Sequence, residues 1–344
     1  MGVVCGKSVV EKNTEVIRKT FVPPNPSQIC TRNTGDWLGL KNLGNSCYIN
    51  SVIQSLAANN LLMGYIEKYP GLNDFSLTHA LRKLLLDLKK SPADKGFLIP
   101  EEFQEKLFTE YSTFEKGRQE DGQELLSKLL ESIHMDSKLR LEHPKEFNPK
   151  KIKQVTVKQL WEHHLSKHAS IFTVVFEGLQ RVRICCSVCK NVFHKFEAFS
   201  QLALSLNNQQ NQLQVIMDSN FKQETLKEDN AMHCDTCGKK TLALKMTKIV
   251  HMPEVLTIVL KRFEYDPNRG YSVKIDTDIH YSEQDFVLPV QVSETPANLE
   301  LFAVVCHAGT ISNGHYYALI KVGHVWYECN DEKIIERRSG VGIR

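Results

Sequence analysis

The chain has 344 residues, with 43 Lys and Arg against 40 Asp and Glu, a formal charge of +3. That length allows one large core or two ordinary ones without disulfide staples, and so even a charge balance offers no electrostatic case for binding nucleic acid or an anionic membrane. Ten cysteines in a chain with no secretory leader read as metal ligands, nucleophiles or buried small residues rather than as disulfides.

In chain order, the first segment, residues 1 to 35, lacks a signal peptide's apolar middle. It contains the proline cluster "FVPPNPSQ" and is expected to be a flexible extension, with the fold starting near Asp36 and Trp37. Gly2 and Cys5 are poor acylation candidates, because Gly6 stands where the myristoylation pattern wants Ser or Thr. No run approaches the roughly 18 apolar residues that span a bilayer, so no membrane span is expected and the expected compartment is cytosol or nucleus.

From about 45 to 170 the apolar residues recur at helical spacing: Ile49, Val52, Ile53, Leu56 and Ala57, then Leu125, Leu126, Leu129, Leu130 and Ile133. In "NLGNSCYIN", Asn45 or Ser46 is a candidate helix cap, which places Cys47 in the first turn. Unpaired N–H groups there favour a thiolate, and loop N–H groups with the Asn42 amide are candidate donors to an oxyanion. A buried structural cysteine is the competing reading. Further on, "RQEDGQELLSKLL" holds Asp121 and Glu124, spaced as a variant capping box or as carboxylates facing a basic peptide.

From about 171 the runs "SIFTVVFEGLQRVRICC", "VLTIVLKRFEY", "LELFAVVCHAG" and "GHYYALIKVGHVWYECN" read as strands. Helices first and strands after predict an α+β fold with a cleft between lobes. Cys186 and Cys189 are followed after 44 residues by Cys234 and Cys237, a spacing that suits a closed, structural zinc site. Cys185 is then spare, and His233 an alternative ligand. Centring a hairpin turn on Val322–Gly323 sets His315 directly across from Asn330, close enough for the amide to orient the imidazole. Asp331 could take that third role instead.

These residues together resemble the ubiquitin-specific protease family of papain-like cysteine proteases. The similarity rests on "GLKNLGNSCYINSVIQSL", on "HAGTISNGHYYALI" followed by "WYECND", and on "RQEDGQELL", the two cysteine pairs and "VLTIVLKRFEYD" between them in the family's order. It covers roughly residues 36 to 335. It implies a right hand with an α-helical thumb (about 36–170) and a β palm with fingers (about 171–344), zinc at the fingertip and no cofactor in the chemistry. Cys47 is then the nucleophile, His315 the general base and acid, Asn330 the orienting group, Asn42 an oxyanion donor and Asp331 a supporting residue. Asp121 and Glu124 would meet the substrate's basic tail.

The implied reaction is cleavage after the C-terminal Gly-Gly of ubiquitin or a ubiquitin-like modifier. "CGKKT", "VLTI" and "LFAVVCHAG" further resemble an interferon-induced branch that removes the interferon-stimulated modifier, which implies that modifier as partner and, as an alternative to turnover, an adaptor role at a cytokine receptor. After Asn330 only residues 331–344 remain, where the family continues to a further strand, so the chain is expected to be truncated, with an unpaired sheet edge.

Overall fold

A computed structural model describes residues 9–22, 37–69, 75–90, 96–141, 156–206, 210–267, 270–281, 299–310 and 313–337. Gly2, Cys5, Asp36, the prolines from Pro23 and the tail from 338 lie outside the described residues.

The centre of the molecule is α2 (Cys47–Ala57), in which every residue but Ser55 is buried. An apolar stripe would bury only one side of a helix, so the other side must hide polar groups that find partners. They do. The Gln54 amide donates to the Leu38 carbonyl at 2.8 Å and accepts from the Trp37 indole at 2.6 Å, and the Ser51 hydroxyl donates to the Tyr48 carbonyl at 3.0 Å.

Against α2 pack α3 (Asn60–Lys68), α4 (Leu77–Asp87) and α6 (Gly122–Ser137), with α5 (Glu101–Glu110) on α4, α8 (Ile171–Phe176) on α3 and α6, and α7 (Val157–His168) on α8. Their apolar faces meet in one core that includes Ile49, Ile53, Leu62, Leu81, Phe103, Leu129 and Ile171. Two short strands, β1 (Gly39–Leu40) and β2 (Phe97–Leu98), pair in parallel beside α2.

The opposite face of α2 is covered by an antiparallel sheet of β13 (Ala303–Gly309), β14 (Gly314–Val322), β15 (Val325–Asn330) and β16 (Lys333–Arg337), in that order. Among the described residues β13 has no strand on its outer edge. A second sheet, ordered β4-β3-β9-β6, is built from β3 (Gly178–Cys186), β4 (Val192–Phe199), β6 (Glu224–Leu226) and β9 (Ala243–His251), and the hairpin of β7 (Met232–Cys234) and β8 (Lys239–Thr241) adjoins its far end. The parallel pair β5 (Gln201–Ser205) and β10 (Thr257–Lys261) and the hairpin of β11 (Phe263–Asp266) and β12 (Tyr271–Lys274) complete the β half, with α9 (Leu213–Asn220) packed on β5. The α+β class and the thumb, palm and fingers arrangement are as expected.

Three local expectations are corrected. Residues 171–176, expected to be strand, form α8, because Ser170 caps it by accepting from the Thr173 N–H at 3.0 Å and the buried Ser137 hydroxyl accepts from the Ile171 N–H at 3.0 Å. Those bonds and the burial of Ile171, Val175 and Phe176 outweigh their β preference. The expected flexible extension contains α1 (Val9–Thr20). Asn13 donates to the Ser166 carbonyl on α7 at 3.3 Å, Ile17 and Phe21 are buried, and the Phe21 ring stacks on Tyr69 at 5.9 Å. The last hairpin turns at Gly323–His324, where Gly323 takes φ +61°, one residue beyond the expected centre.

Between the α lobe and the finger sheet lies a group of histidines. Trp161 stacks on His251 at 4.1 Å and on His164 at 5.3 Å, the His164 Nε2 meets Glu177 at 2.8 Å, and the His134 Nδ1 meets the Ser170 hydroxyl at 2.8 Å. Burial pushes His251 down to about 4, with the charge of His164 adding to it, and burial likewise lowers His134, His163 and His168. For Glu177 burial pulls upward, yet its bonds from His164 and Thr173 leave the carboxyl lowered.

All five groups therefore bind fewer protons folded than unfolded, so stability is full above the ordinary histidine value of about 6.5 and declines as pH falls toward about 4. Urea midpoints are expected to fall from pH 7 to pH 5, and to fall less in His251→Phe, which keeps the stack and removes the proton site; an equal fall in both proteins counts against this account. Phe21→Ala is expected to cost about 3 kcal/mol in the same assay, whereas a detached extension would leave the midpoint unchanged.

Candidate active site

Cys47 opens α2. The cap residue Ser46 has φ −96° and makes no capping bond with its side chain, because its hydroxyl accepts from the Leu43 N–H at 2.9 Å. The preceding loop passes through left-handed Gly44 (φ +100°) and Asn45 (φ +51°). It is folded around one amide, since the Asn42 Oδ1 accepts from the Gly44 N–H at 2.9 Å and from the Ser46 N–H at 3.3 Å. The Asn42 Nδ2 donates to one Asp331 carboxylate oxygen at 2.9 Å, and Asn50, one turn along α2, donates to the other at 2.8 Å. The Asp331 carbonyl also accepts from the Leu40 N–H at 2.9 Å.

His315 lies near the start of β14. Its Nε2 meets the Asn330 Oδ1 at 2.8 Å. Because an amide oxygen only accepts, Nε2 carries the hydrogen and Nδ1 is left with a lone pair. This is the bond expected from the sequence, reached by a different register. The turn at Gly323–His324 sets a ladder that ends at Ala318–Cys329, so that one step beyond it Asn330 comes level with Tyr317, and His315 is its diagonal neighbour on the same face. The next residue, Tyr316, donates its backbone N–H to the Cys47 Sγ at 3.5 Å, which brings the histidine's strand against the thiol.

Cys47 is 1% exposed. Burial pushes its thiol above the ordinary value, the Asp331 charge adds to that, and the N–H groups of Tyr316, Tyr48 and Cys47 only partly oppose it. The helix start does favour the thiolate, as expected, but burial opposes it more strongly: desolvation outweighs the donors. A nucleophile here would need a base, and the strand that carries His315 touches the thiol through the Tyr316 N–H.

Asp121 caps α6, accepting from the Gln123 N–H at 2.7 Å. It borders a cavity of about 560 Å3 whose walls include Val52 of α2, Tyr316 of β14, the run from Leu256 to Phe263 and the run from Leu301 to Val305. Glu124 is exposed and takes no part in that wall, so the pair is divided between the cleft and the surface. Gly122 lets the start of α6 come against the site, since a Cβ there would sit 3.3 Å from the Tyr316 ring.

At the far end of the finger sheet, the sulfurs of Cys186, Cys189, Cys234 and Cys237 all lie within 4.8 Å of one another. Each Cys-x-x-Cys turn closes the same way: the Cys186 carbonyl accepts from the Lys190 N–H at 3.1 Å and the Cys234 carbonyl from the Gly238 N–H at 2.8 Å, with φ of +61° and +65° at the two donors. Sulfurs bonded to one ion at about 2.3 Å in a tetrahedron would stand about 3.8 Å apart, and the pairs Cys186–Cys237 and Cys189–Cys234 stand at 3.9 and 3.6 Å. The four residues fit a closed metal site. Cys185 and His233 stand outside it.

Two residues of the site escaped the sequence reading. Asn50 is polar in an otherwise apolar helical run, a signal that was available. Gln119 stands two residues before Asp121; its carboxamide meets both backbone groups of Gly314 and reaches toward Cys47.

Comparison with known proteins agrees with this arrangement. Residues 38–340 match the family model described as ubiquitin carboxyl-terminal hydrolase. The chain is 27% identical over 355 residues to ubiquitin carboxyl-terminal hydrolase 4 of Candida glabrata, covering 88% of this chain and 40% of that protein. It is 29% identical over 324 residues to the mouse ubiquitin carboxyl-terminal hydrolase 17-like protein D, covering 90% and 53%. The chain spans about half, or less, of the length of these relatives. Among solved structures, a chain of the SAGA DUB module of Ubp8, Sgf11, Sus1 and Sgf73 bound to monoubiquitin superposes with a TM-score of 0.71 at 23% identity, over 96% of this chain and 70% of that one. With its cysteine, histidine and asparagine on the elements described and a family match over nearly its whole length, the chain belongs to the ubiquitin carboxyl-terminal hydrolase family.

Proposed function

We propose that the protein is a thiol-dependent isopeptidase that releases ubiquitin or a ubiquitin-like modifier by cutting after its C-terminal Gly-Gly. The observation that carries this is the meeting of α2 and β14: an imidazole oriented at 2.8 Å by Asn330, on a strand that touches the buried thiol through the next residue's N–H at 3.5 Å. In this reading His315 Nδ1 takes the proton from Cys47 as sulfur attacks the glycine carbonyl. The oxyanion is met by backbone N–H groups at the helix start and by the second hydrogen of the Asn42 amide, whose first is held by Asp331. The tetrahedral adduct collapses to a thioester as His315 returns the proton to the departing lysine amine. Water, deprotonated by His315, then attacks the thioester, and collapse frees the modifier's carboxylate and restores the thiol.

The names of the relatives support ubiquitin as substrate, and the monoubiquitin bound in the similar structure supports a ubiquitin-binding surface. Preference for the interferon-stimulated modifier rests on the short matches "CGKKT", "VLTI" and "LFAVVCHAG" alone. Intact-mass analysis after exposure to C-terminal electrophile probes of both modifiers separates the readings. One probe mass is expected on the wild type and none on Cys47→Ala, and the faster probe identifies the modifier. If neither probe adds to folded protein, the catalytic reading fails, and binding without turnover, as in an adaptor at a cytokine receptor, takes its place.

For the fingertip we propose a structural zinc ion held by Cys186, Cys189, Cys234 and Cys237, since four thiolates close the coordination sphere and leave no site for chemistry. Elemental analysis is expected to find one zinc per chain. Cys189→Ser is expected to lose it and to lower Tm by about 5 °C or more; a protein that is metal-free yet equally stable would contradict the assignment.

A further inference from the structure

The ladder between β14 and β15 runs only from Val322–Val325 to Ala318–Cys329. Among the described residues, 314–317 therefore lie outside that ladder, although this is where His315 must be held. Alternate residues of a strand direct their backbone groups to the same side. Along this edge Ala318 pairs with β15, the Tyr316 N–H reaches the Cys47 Sγ at 3.5 Å, and Gly314 meets Gln119. The Gln119 Oε1 accepts from the Gly314 N–H at 3.3 Å, and its Nε2 donates to the Gly314 carbonyl at 2.5 Å.

One carboxamide thus does for Gly314 what a residue of a neighbouring strand would do. The same Nε2 lies 4.0 Å from the Cys47 Sγ, and an amide nitrogen has a second hydrogen to offer. Gln119 is itself held in place. Its neighbour Glu120 pairs with Arg118 at 3.0 Å, and Asp121 is locked as the cap of α6. On the other face of Gly314 there is no room to give, because a Cβ there would collide with the His307 ring.

We propose that Gln119 is a positioning residue for the thiol and the imidazole: it closes the unpaired edge of β14 at Gly314 and turns its remaining N–H toward the Cys47 sulfur. The inference rests on the catalytic reading above for its meaning, but its physical content concerns the thiol and is tested without any modifier. A mere spacer would fill volume between α6 and β14. A positioning donor changes how readily the thiol ionises and how fast the bound substrate reacts.

The test compares the whole chain with Gln119→Ala and Gln119→Glu. Alkylation of Cys47 by iodoacetamide is followed by peptide mass mapping from about pH 5 to pH 9, alongside hydrolysis of a ubiquitin C-terminal amide substrate. In Gln119→Ala, alkylation at neutral pH is expected to fall about threefold to tenfold with its pH midpoint moved up, and kcat to fall about 10- to 100-fold with KM within about threefold. Gln119→Glu keeps the shape but loses the donors and brings a negative charge, so it is expected to be at least as impaired as the alanine variant.

Recovery of wild-type rates and midpoint in the glutamate variant would make Gln119 a spacer and overturn the proposal. An unchanged pH profile in both variants would overturn it as well. If the alanine variant does not fold, the near-isosteric glutamate variant alone decides between a raised and an unchanged midpoint. A wild type that alkylates normally but hydrolyses no substrate would refute the catalytic reading, while the alkylation profiles would still settle the role of Gln119.

Discussion

The site depends on the Asp331 carboxylate. One oxygen accepts from Asn42, which shapes the loop before the cysteine, and the other from Asn50, on the helix that carries it. Residues 281 or more positions apart in the sequence are joined through a single charged group. Charge-assisted bonds of this kind are among the stronger ones a protein makes, and a carboxylate taken partly out of water needs each of them. The positive φ of Asp331 places the side chain and the carbonyl on the same small stretch of chain, so the end of β15 is anchored by both.

Burial sets the chemistry as much as proximity does. A helix start is often taken as sufficient to activate a cysteine, but here the sulfur is so thoroughly enclosed that desolvation wins over the surrounding N–H groups. The resting state is then a neutral thiol, next to the strand that holds an oriented imidazole. In the proposed mechanism reactivity arises when the histidine accepts the proton, a step that geometry controls. An enclosed neutral thiol is also a poor target for small oxidants, whose reaction follows thiolate character and exposure.

Much of this was legible in the sequence. Cys47 at a helix start, His315 with Asn330, and the two cysteine pairs are local or strongly spaced signals, and the structure puts Cys47 at the start of α2, His315 within 2.8 Å of Asn330 and the four sulfurs in one cluster. The fold class followed from helical and strand periodicities in separate halves. Part of what failed comes from tertiary context. "IFTVVF" has the composition of a strand, yet a serine cap and a buried hydroxyl make it helix. The N-terminal segment spaces Val9, Val10, Val16, Ile17 and Phe21 as a helix would, a signal that was available, and Ile17 and Phe21 find a surface prepared by α3 and α7. The His315–Asn330 pair was right although the turn was misplaced by one residue, because diagonal neighbours on a sheet also come within reach. Gln119 could not be found by spacing, since its partner is a backbone segment 195 residues away.

The same span that joins Asn42 and Asn50 to Asp331 has a consequence for how the protein is made. Contacts between distant positions form late, because the loop they close costs entropy before any bond repays it. On the ribosome the helix with its cysteine emerges well before the histidine strand and its aspartate. The loop before Cys47 cannot be pinned until Asp331 has been synthesised, so a nascent chain that stops short of it holds the thiol in an unanchored loop.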